Sequence, residues 1–374
     1  MYSSYEGQLP VTAWTKKGVM DLPIHFAKTK DDVSIAYWMC GEGVPVVHMP
    51  WLPWSHIQLE WANPEMNRWY SAIAEHGALI RYDGRGTGLS ERDVEDVSID
   101  AHIHDIEAVV DALGLEKFFL VSVFNSGPIA LHYAARHPEQ LLGLALWSTY
   151  PSGAEYLASP QVAAIRNLVE NWELYTETGA HAFVGWSEGD AAHRLAALMR
   201  EAVTHQTALR LLQVYMQTDA RDVLSGIRTP TLVMHPRSLP LIDVALARRI
   251  AAAVPGAQFY AVEGVSLAPT MGNISSIMDA LSAFLRVHED ELPQTLAVLE
   301  DGARSNGATS AHSLTAREIE ILRLVVQGQS GREIAEALVL SPRTVERHIA
   351  NIYAKAKVNN RAQITTFAMT NKLI

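Results

Sequence analysis

The feature that most constrains this chain is an alternation, through its first 290 residues, of short β-rich apolar runs with amphipathic helical stretches. Runs at 33–39, 44–49, 78–82, 118–123, 141–147, 231–235 and 258–262 read as strands, and 99–113, 129–136 and 241–253 as helices with one apolar face. Strands separated by helices pair in parallel, because a parallel connection has to cross over the sheet and a helix fills the crossover. The expected architecture is an α/β fold with a mostly parallel sheet covered on both faces. One stretch breaks the rhythm. From about 154 to 224 the pattern is almost wholly helical, with apolar and aromatic residues from Trp172 and Tyr175 through Phe183 and Trp186 to Leu211, Tyr215 and Met216, which predicts a helical cap inserted into the sheet domain.

At 374 residues the chain exceeds one ordinary domain. The segment 305–312 (SNGATSAH) is small, polar and glycine-bearing, and reads as part of a linker over 291–313. The expected layout is a sheet domain over 1–290, the linker, and a small all-α domain over 314–374. Charge follows the same division. Residues 314–374 hold nine Lys/Arg against five Asp/Glu, so this segment carries +4 while the rest carries −15 of the net −11. A basic module on an acidic body suits a DNA reader attached to a domain with another task.

The single cysteine, Cys40, excludes an internal disulfide, fits a reducing compartment and, at the end of a strand, is expected to be a buried structural thiol. Residues 1–10 lack a basic start followed by an apolar run, and no window reaches the roughly 18 apolar residues of a membrane span. A cytoplasmic location without membrane association is expected, and nothing in the sequence calls for a metal or cofactor.

Within 314–374, LTAREIEILRLVVQG places Ile319, Ile321, Leu322, Val325 and Val326 on a wide apolar stripe closed by Gly328. A short second helix is predicted over 332–339. Ser341 and Pro342 then start a third, since Ser caps free N–H groups and Pro is tolerated in the first turn. On that third helix Val345, Ile349, Ile352 and Ala356 face the core, and Arg343, Glu346, Arg347, Ala350 and Asn351 face outward. A helix with basic and amide groups on its outer side fits the major groove.

The whole segment resembles the LuxR-type helix-turn-helix family. The resemblance implies that Glu346, Arg347 and Ala350, outward on the TVxxHxx stretch, reach bases, that Thr344 belongs to the DNA-binding set, and that Arg332, Arg343, Lys355 and Arg361 hold phosphates. A fourth helix over 360–373 resembles the family's dimer-forming element, with Ile364, Phe367, Ala368 and Leu373 available to a partner. A homodimer on double-stranded DNA is implied.

Three stretches of the large domain resemble the α/β-hydrolase fold: RYDGRGTGLS at 81–90, FFLVSVFNSGPIALHYAARHP at 118–138, and PTLVMHPRSLPLIDVALARRIAAAVP at 230–255. In that family a strained G-x-S-x-G elbow lifts the nucleophile above the sheet. Registered on Ala130 and Tyr133 of the following helix, the nucleophile position reads Phe124. The acid position, after the next-to-last strand, reads Leu239. The base position, within GVSLAP at 264–269, reads Leu267.

None of the three can perform its role, which implies a hydrolase fold without a triad. Ser126 is an alternative nucleophile if the elbow slips, and His235 reads as a hydrogen-bonded wall residue. Phe124, Leu239 and Leu267 are expected to form the apolar floor of a ligand pocket. Trp51, Trp54, Trp172 and Trp186 would wall it, with Tyr175 in the cap, and Asn125, Ser126, Ser148 and Ser266 would supply polar groups.

The function implied is a ligand-responsive transcriptional regulator. A small apolar or amphipathic molecule would change DNA affinity or RNA polymerase recruitment. Two other readings stay open: an active esterase or lactonase fused to a DNA reader, and a constitutive DNA-binding dimer that takes no ligand.

Overall fold

The apolar runs assemble into one sheet, made of β1 (His25–Lys28), β2 (Ser34–Cys40), β3 (Pro45–His48), β4 (Ala78–Tyr82), β5 (Phe118–Val123), β6 (Leu141–Trp147), β7 (Thr231–Pro236) and β8 (Gln258–Val262). Their order is β1-β2-β4-β3-β5-β6-β7-β8. The pairs β1/β2 and β2/β4 are antiparallel and the remainder parallel. This computed structural model describes residues 22–271, 274–286, 316–326 and 329–338, together with positions 345, 348, 349, 352, 364 and 368. The predicted linker lies outside the described residues. The chain divides into two compact units, 1–299 and 300–374.

The central strands β3 to β7 are buried at every position, because helices cover both of their faces. At the edges, β1 buries only Ala27 of its four residues, and β8 exposes alternate ones. β1 was not expected from the sequence. HFAK alternates too briefly to signal a strand, and it is held by its register against Ser34–Tyr37.

The covering helices are α1 (Ile57–Ala62), α2 (Pro64–Ala74), α3 (Ile99–Ala112), α4 (Gly127–Arg136), α10 (Val244–Ala253) and α11 (Ile274–Arg286). α10 begins three residues later than the 241–253 reading, since Asp243 caps it through Ala245 N and leaves Leu241 and Ile242 buried in the preceding loop. α1 and α2 are anchored under the sheet by polar groups. Arg81 of β4 and Glu60 of α1 form a fully buried ion pair at 2.7 Å. Tyr70 of α2 donates to Glu60 at 2.7 Å and accepts from Arg81 Nε at 3.1 Å. A buried ion pair whose remaining lone pairs and protons are matched costs little to keep and much to break.

The helical stretch forms the cap α5 (Gly153–Leu157), α6 (Pro160–Arg166), α7 (Trp172–Val184), α8 (Gly189–Ala202) and α9 (His205–Gln217). Arg200 of α8 bonds Thr176 and Glu177 of α7 at 2.8 and 3.0 Å, which joins these two cap helices.

Cys40 ends β2 half-buried, and burial pushes its thiol up to about 11, so it stays protonated. No helix among the described residues is long and apolar enough to cross a membrane.

Candidate ligand chamber and DNA-binding unit

The turn after β5 has the elbow geometry that the sequence register requires. Phe124 takes φ +58°, a left-handed conformation that is an outlier for a bulky residue. A 3-10 turn over Phe124–Ser126 follows and leads into α4. Gly127 permits this path, since a Cβ there would stand 1.7 Å from Thr149 Oγ1, and that hydroxyl donates to Phe124 O at 2.7 Å.

At the apex, the Phe124 ring is met edge-on by Tyr150, Tyr156 and Phe183, with centroids 6.0, 5.4 and 5.4 Å away. Three rings therefore clamp the side chain that the sequence register sets at the apex of the elbow.

Ser126 is engaged inside the elbow rather than available to a ligand. Its Oγ lies 2.9 Å from Ser122 Oγ, donates to Val123 O at 2.8 Å and accepts from Val123 N at 3.2 Å. The two serines stand where the hydrolase elbow carries glycines, and they brace each other across the turn.

Phe124 borders a narrow cavity with Trp54, Asn125, Tyr150, Tyr156 and Tyr175, under the cap. Burial pushes the hydroxyls of Tyr150, Tyr156, Tyr175 and Tyr215 up, so all four are protonated. About 40 Å³ is open to water centres there, space for only a few waters.

The expected shared floor is not formed, because none of the cavities described is bordered by Phe124, Leu239 and Leu267 together. Leu239 faces a surface groove beside Glu155 and Tyr156. Tyr156, stacked on Tyr150 at 4.6 Å, borders both this groove and the chamber and so divides them. Leu267 is fully buried. Its N donates to Phe183 O at 2.8 Å and its carbonyl accepts from Trp147 Nε1 at 2.6 Å, so it ties α7 to β6.

The tryptophans divide as well. Trp54 lines the Phe124 chamber, and Trp172 packs behind Trp54 and Tyr175 at 5.7 and 5.8 Å. Trp51 lines a second cavity on the α8 side. Trp186 is 71% exposed against His181, which removes it from the expected wall: it follows Gly185, where φ +116° turns the chain out of α7.

Of the polar groups, Asn125 accepts from Tyr150 OH at 2.5 Å and donates to Leu52 O at 3.0 Å. Ser266 Oγ donates to Phe183 O at 3.0 Å. Ser148, at φ +47°, has a buried hydroxyl without a partner. His235 bonds Pro236 O through Nδ1 at 2.6 Å, and burial lowers its pKa. That is the wall role expected of it.

In the second unit, α12 (Ala316–Val326) and α13 (Gly331–Leu338) match the first two predicted helices within two residues at each end. Ser330 and Glu333 cap α13 reciprocally: Ser330 N donates to Glu333 Oε2 at 2.7 Å, and Glu333 N to Ser330 Oγ at 3.4 Å. The S-x-x-E spacing that produces this box stands in the sequence, and it places the helix start one residue before 332.

Ile321, Leu322, Val325, Ile334, Ala335, Val345, Ile352, Ile364 and Ala368 form the core of this unit, with Ile349 against it. Val345, Ile349 and Ile352 therefore face inward as expected. Ile364 and Ala368 do not offer themselves to a partner, since their own domain buries them fully. Arg332 is exposed on α13. Arg343, Thr344, Glu346, Arg347, Ala350, Lys355 and Arg361 lie outside the described residues, as do Ala356, Phe367 and Leu373.

Residues 67–263 match the family described as serine aminopeptidase, S33, and residues 312–368 match the bacterial regulatory proteins of the luxR family. The AB hydrolase superfamily protein YisY of Bacillus subtilis (strain 168) is 26% identical over 231 residues, covering 57% of this chain and 81% of YisY. The transcriptional regulatory protein LiaR of the same organism is 44% identical over 62 residues, covering 17% of this chain and 29% of LiaR. In fold, a bromoperoxidase from Bacillus anthracis superposes with a TM-score of 0.62 at 19% identity, over 71% of this chain and 100% of that one. The chain thus belongs to the serine aminopeptidase S33 family in its large α/β-hydrolase-fold domain, and joins to it a DNA-binding domain of the luxR family of bacterial regulatory proteins.

Proposed function

We propose that this protein is a cytoplasmic, homodimeric transcriptional regulator whose hydrolase-like domain has no catalytic activity and serves as a receptor for a small apolar or amphipathic molecule. The observation that carries the reading is Phe124 at the elbow apex, in the strained left-handed conformation and clamped by three aromatic rings. Leu239 and Leu267 at the acid and base positions support it, because a nucleophile without a base stays protonated and unreactive. Ser126 offers no substitute, with its hydroxyl committed to the elbow and fully buried.

The cavities beneath the cap have space for only a few waters, so an occupant has to displace cap side chains. Occupancy is thereby coupled to cap position, and a ligand regulates only by favouring one arrangement over another. The readout is a change in DNA affinity or in recruitment of RNA polymerase. The test is to purify the full chain from its own host and examine one preparation in two ways. Native mass spectrometry is expected to find a retained small molecule, and a panel of activated esters to show no turnover. Ester turnover that disappears in Ser126→Ala would overturn the receptor reading in favour of an enzyme.

A further inference from the structure

The space beneath the cap is split in two by an aromatic pair. Phe183 borders the Phe124 chamber and Trp51 borders the second cavity, and their rings meet at 6.0 Å. The second cavity lies between Trp51, Trp69 and Met66 on one side and Leu195 of α8 on another. It too opens about 40 Å³ to water centres. It shares Glu65, Val184, Ala191, Thr270 and Met271 with a surface groove of about 800 Å³.

Three buried polar atoms around this cavity and groove have no hydrogen-bond partner: Trp51 Nε1, Glu65 Oε2 and Arg194 Nε. Buried polar groups are paired with protein, water or a ligand in nearly all native structures, so each orphan calls for a partner. Trp51 is 6% exposed, and an indole N–H can only donate.

Two deep polar neighbours are already engaged. His48 accepts from Trp69 Nε1 at 2.9 Å and donates to Met49 O at 2.8 Å, and Tyr70 is held between Glu60 and Arg81. In the Phe124 chamber, by contrast, Asn125 is matched on both its carbonyl and its amide side. Trp51 Nε1 is thus a buried donor that lacks an acceptor oxygen. A charged oxygen facing one donor in an apolar cavity would lose its hydration without return, which leaves a neutral acceptor, and among these a carbonyl oxygen accepts without bringing a donor of its own that would need a partner.

We infer that the Trp51 compartment is the ligand site of this domain. It buries the compact end of a neutral carbonyl compound, a ketone, ester or amide, whose oxygen accepts from Trp51 Nε1–H. The remainder of the molecule lies in the groove beside the Glu65–Arg194 ion pair. This rests on the receptor reading above.

Methionine methyls separate the two compartments, since Met66 and Met271 border the Trp51 side and Met199 and Met216 the Phe124 side. The experiment titrates the full chain, labelled with 13C at its methionine methyls, with 2-hexanone and with hexane. The ketone is expected to shift Met66 and Met271, to leave Met199 and Met216 in place, and to bind more tightly than hexane. Trp51→Phe, which keeps a ring and removes the donor, is expected to weaken ketone binding roughly fivefold and hexane binding not at all. Shifts confined to Met199 and Met216 would overturn this site while leaving the domain a receptor. Shifts at neither pair would likewise overturn this site, and the receptor reading would then stand or fall on native mass spectrometry. Equal affinity of the two probes in the unaltered protein would overturn the role of Trp51, whether or not the variant folds.

Discussion

Phe124 carries two opposed effects in one residue. Its ring fills the apex of the elbow, and truncating a buried Phe costs about 3–5 kcal/mol. Its backbone, at φ +58°, stores about 1–3 kcal/mol that only glycine escapes. Phe124→Gly is therefore expected to be less destabilising than Phe124→Ala by about 1 kcal/mol, the reverse of the usual order for these two replacements. All nine tryptophans fall within the first 290 residues, so denaturant unfolding followed by tryptophan fluorescence reports this domain alone. If the alanine variant proves the more stable of the two, the backbone strain at the apex is not real.

Among the elements, α7 holds the cap to the body through its last turn. The carbonyl of Phe183 receives both Leu267 N and Ser266 Oγ, and its ring separates the two compartments. Phe183→Ala keeps the main-chain ties and removes the partition. The variant is expected to merge the compartments, so that 2-hexanone shifts Met199 and Met216 as well as Met66 and Met271. Methionine-methyl spectra check this, and an unchanged pattern would mean that other side chains keep the two spaces apart. Ser330 and Glu333 act at the same scale in the second unit, where a reciprocal cap supports a helix of only eight residues.

For the molecule as a whole, the division of charge assigns the tasks: the segment carrying +4 is the part that meets a polyanion, and the body carrying −15 is repelled by it. Contacts to DNA then sort by kind. Arg332→Ala, on an exposed face of α13, is expected to weaken specific and random DNA alike and to reduce the salt slope by about one. Arg347→Ala is expected to cost about 1–3 kcal/mol on the specific site and little on random DNA. Salt-titrated binding to both DNAs checks the pair, and equal losses for Arg347→Ala would make it a phosphate contact.

Much of this protein follows from local sequence. Seven of the eight sheet strands, the helical cap, the elbow register at Phe124 and the inward face of the helix-turn-helix are all periodic or motif-borne, because side-chain direction in a strand or helix repeats along the chain. The tertiary structure decided what depends on residues far apart in sequence. Leu239 and Leu267 read as floor residues in the sequence, yet Tyr156 of the cap divides the Leu239 groove from the Phe124 chamber, and Leu267 is bonded to the Phe183 carbonyl. Ile364 and Ala368 look available in the sequence and are consumed by the core that they share with Ile321, Leu322, Val325, Ile334, Ala335, Val345 and Ile352. The unpaired Trp51 indole has no signature at all in sequence, since whether a donor finds an acceptor is settled only by the tertiary packing around it.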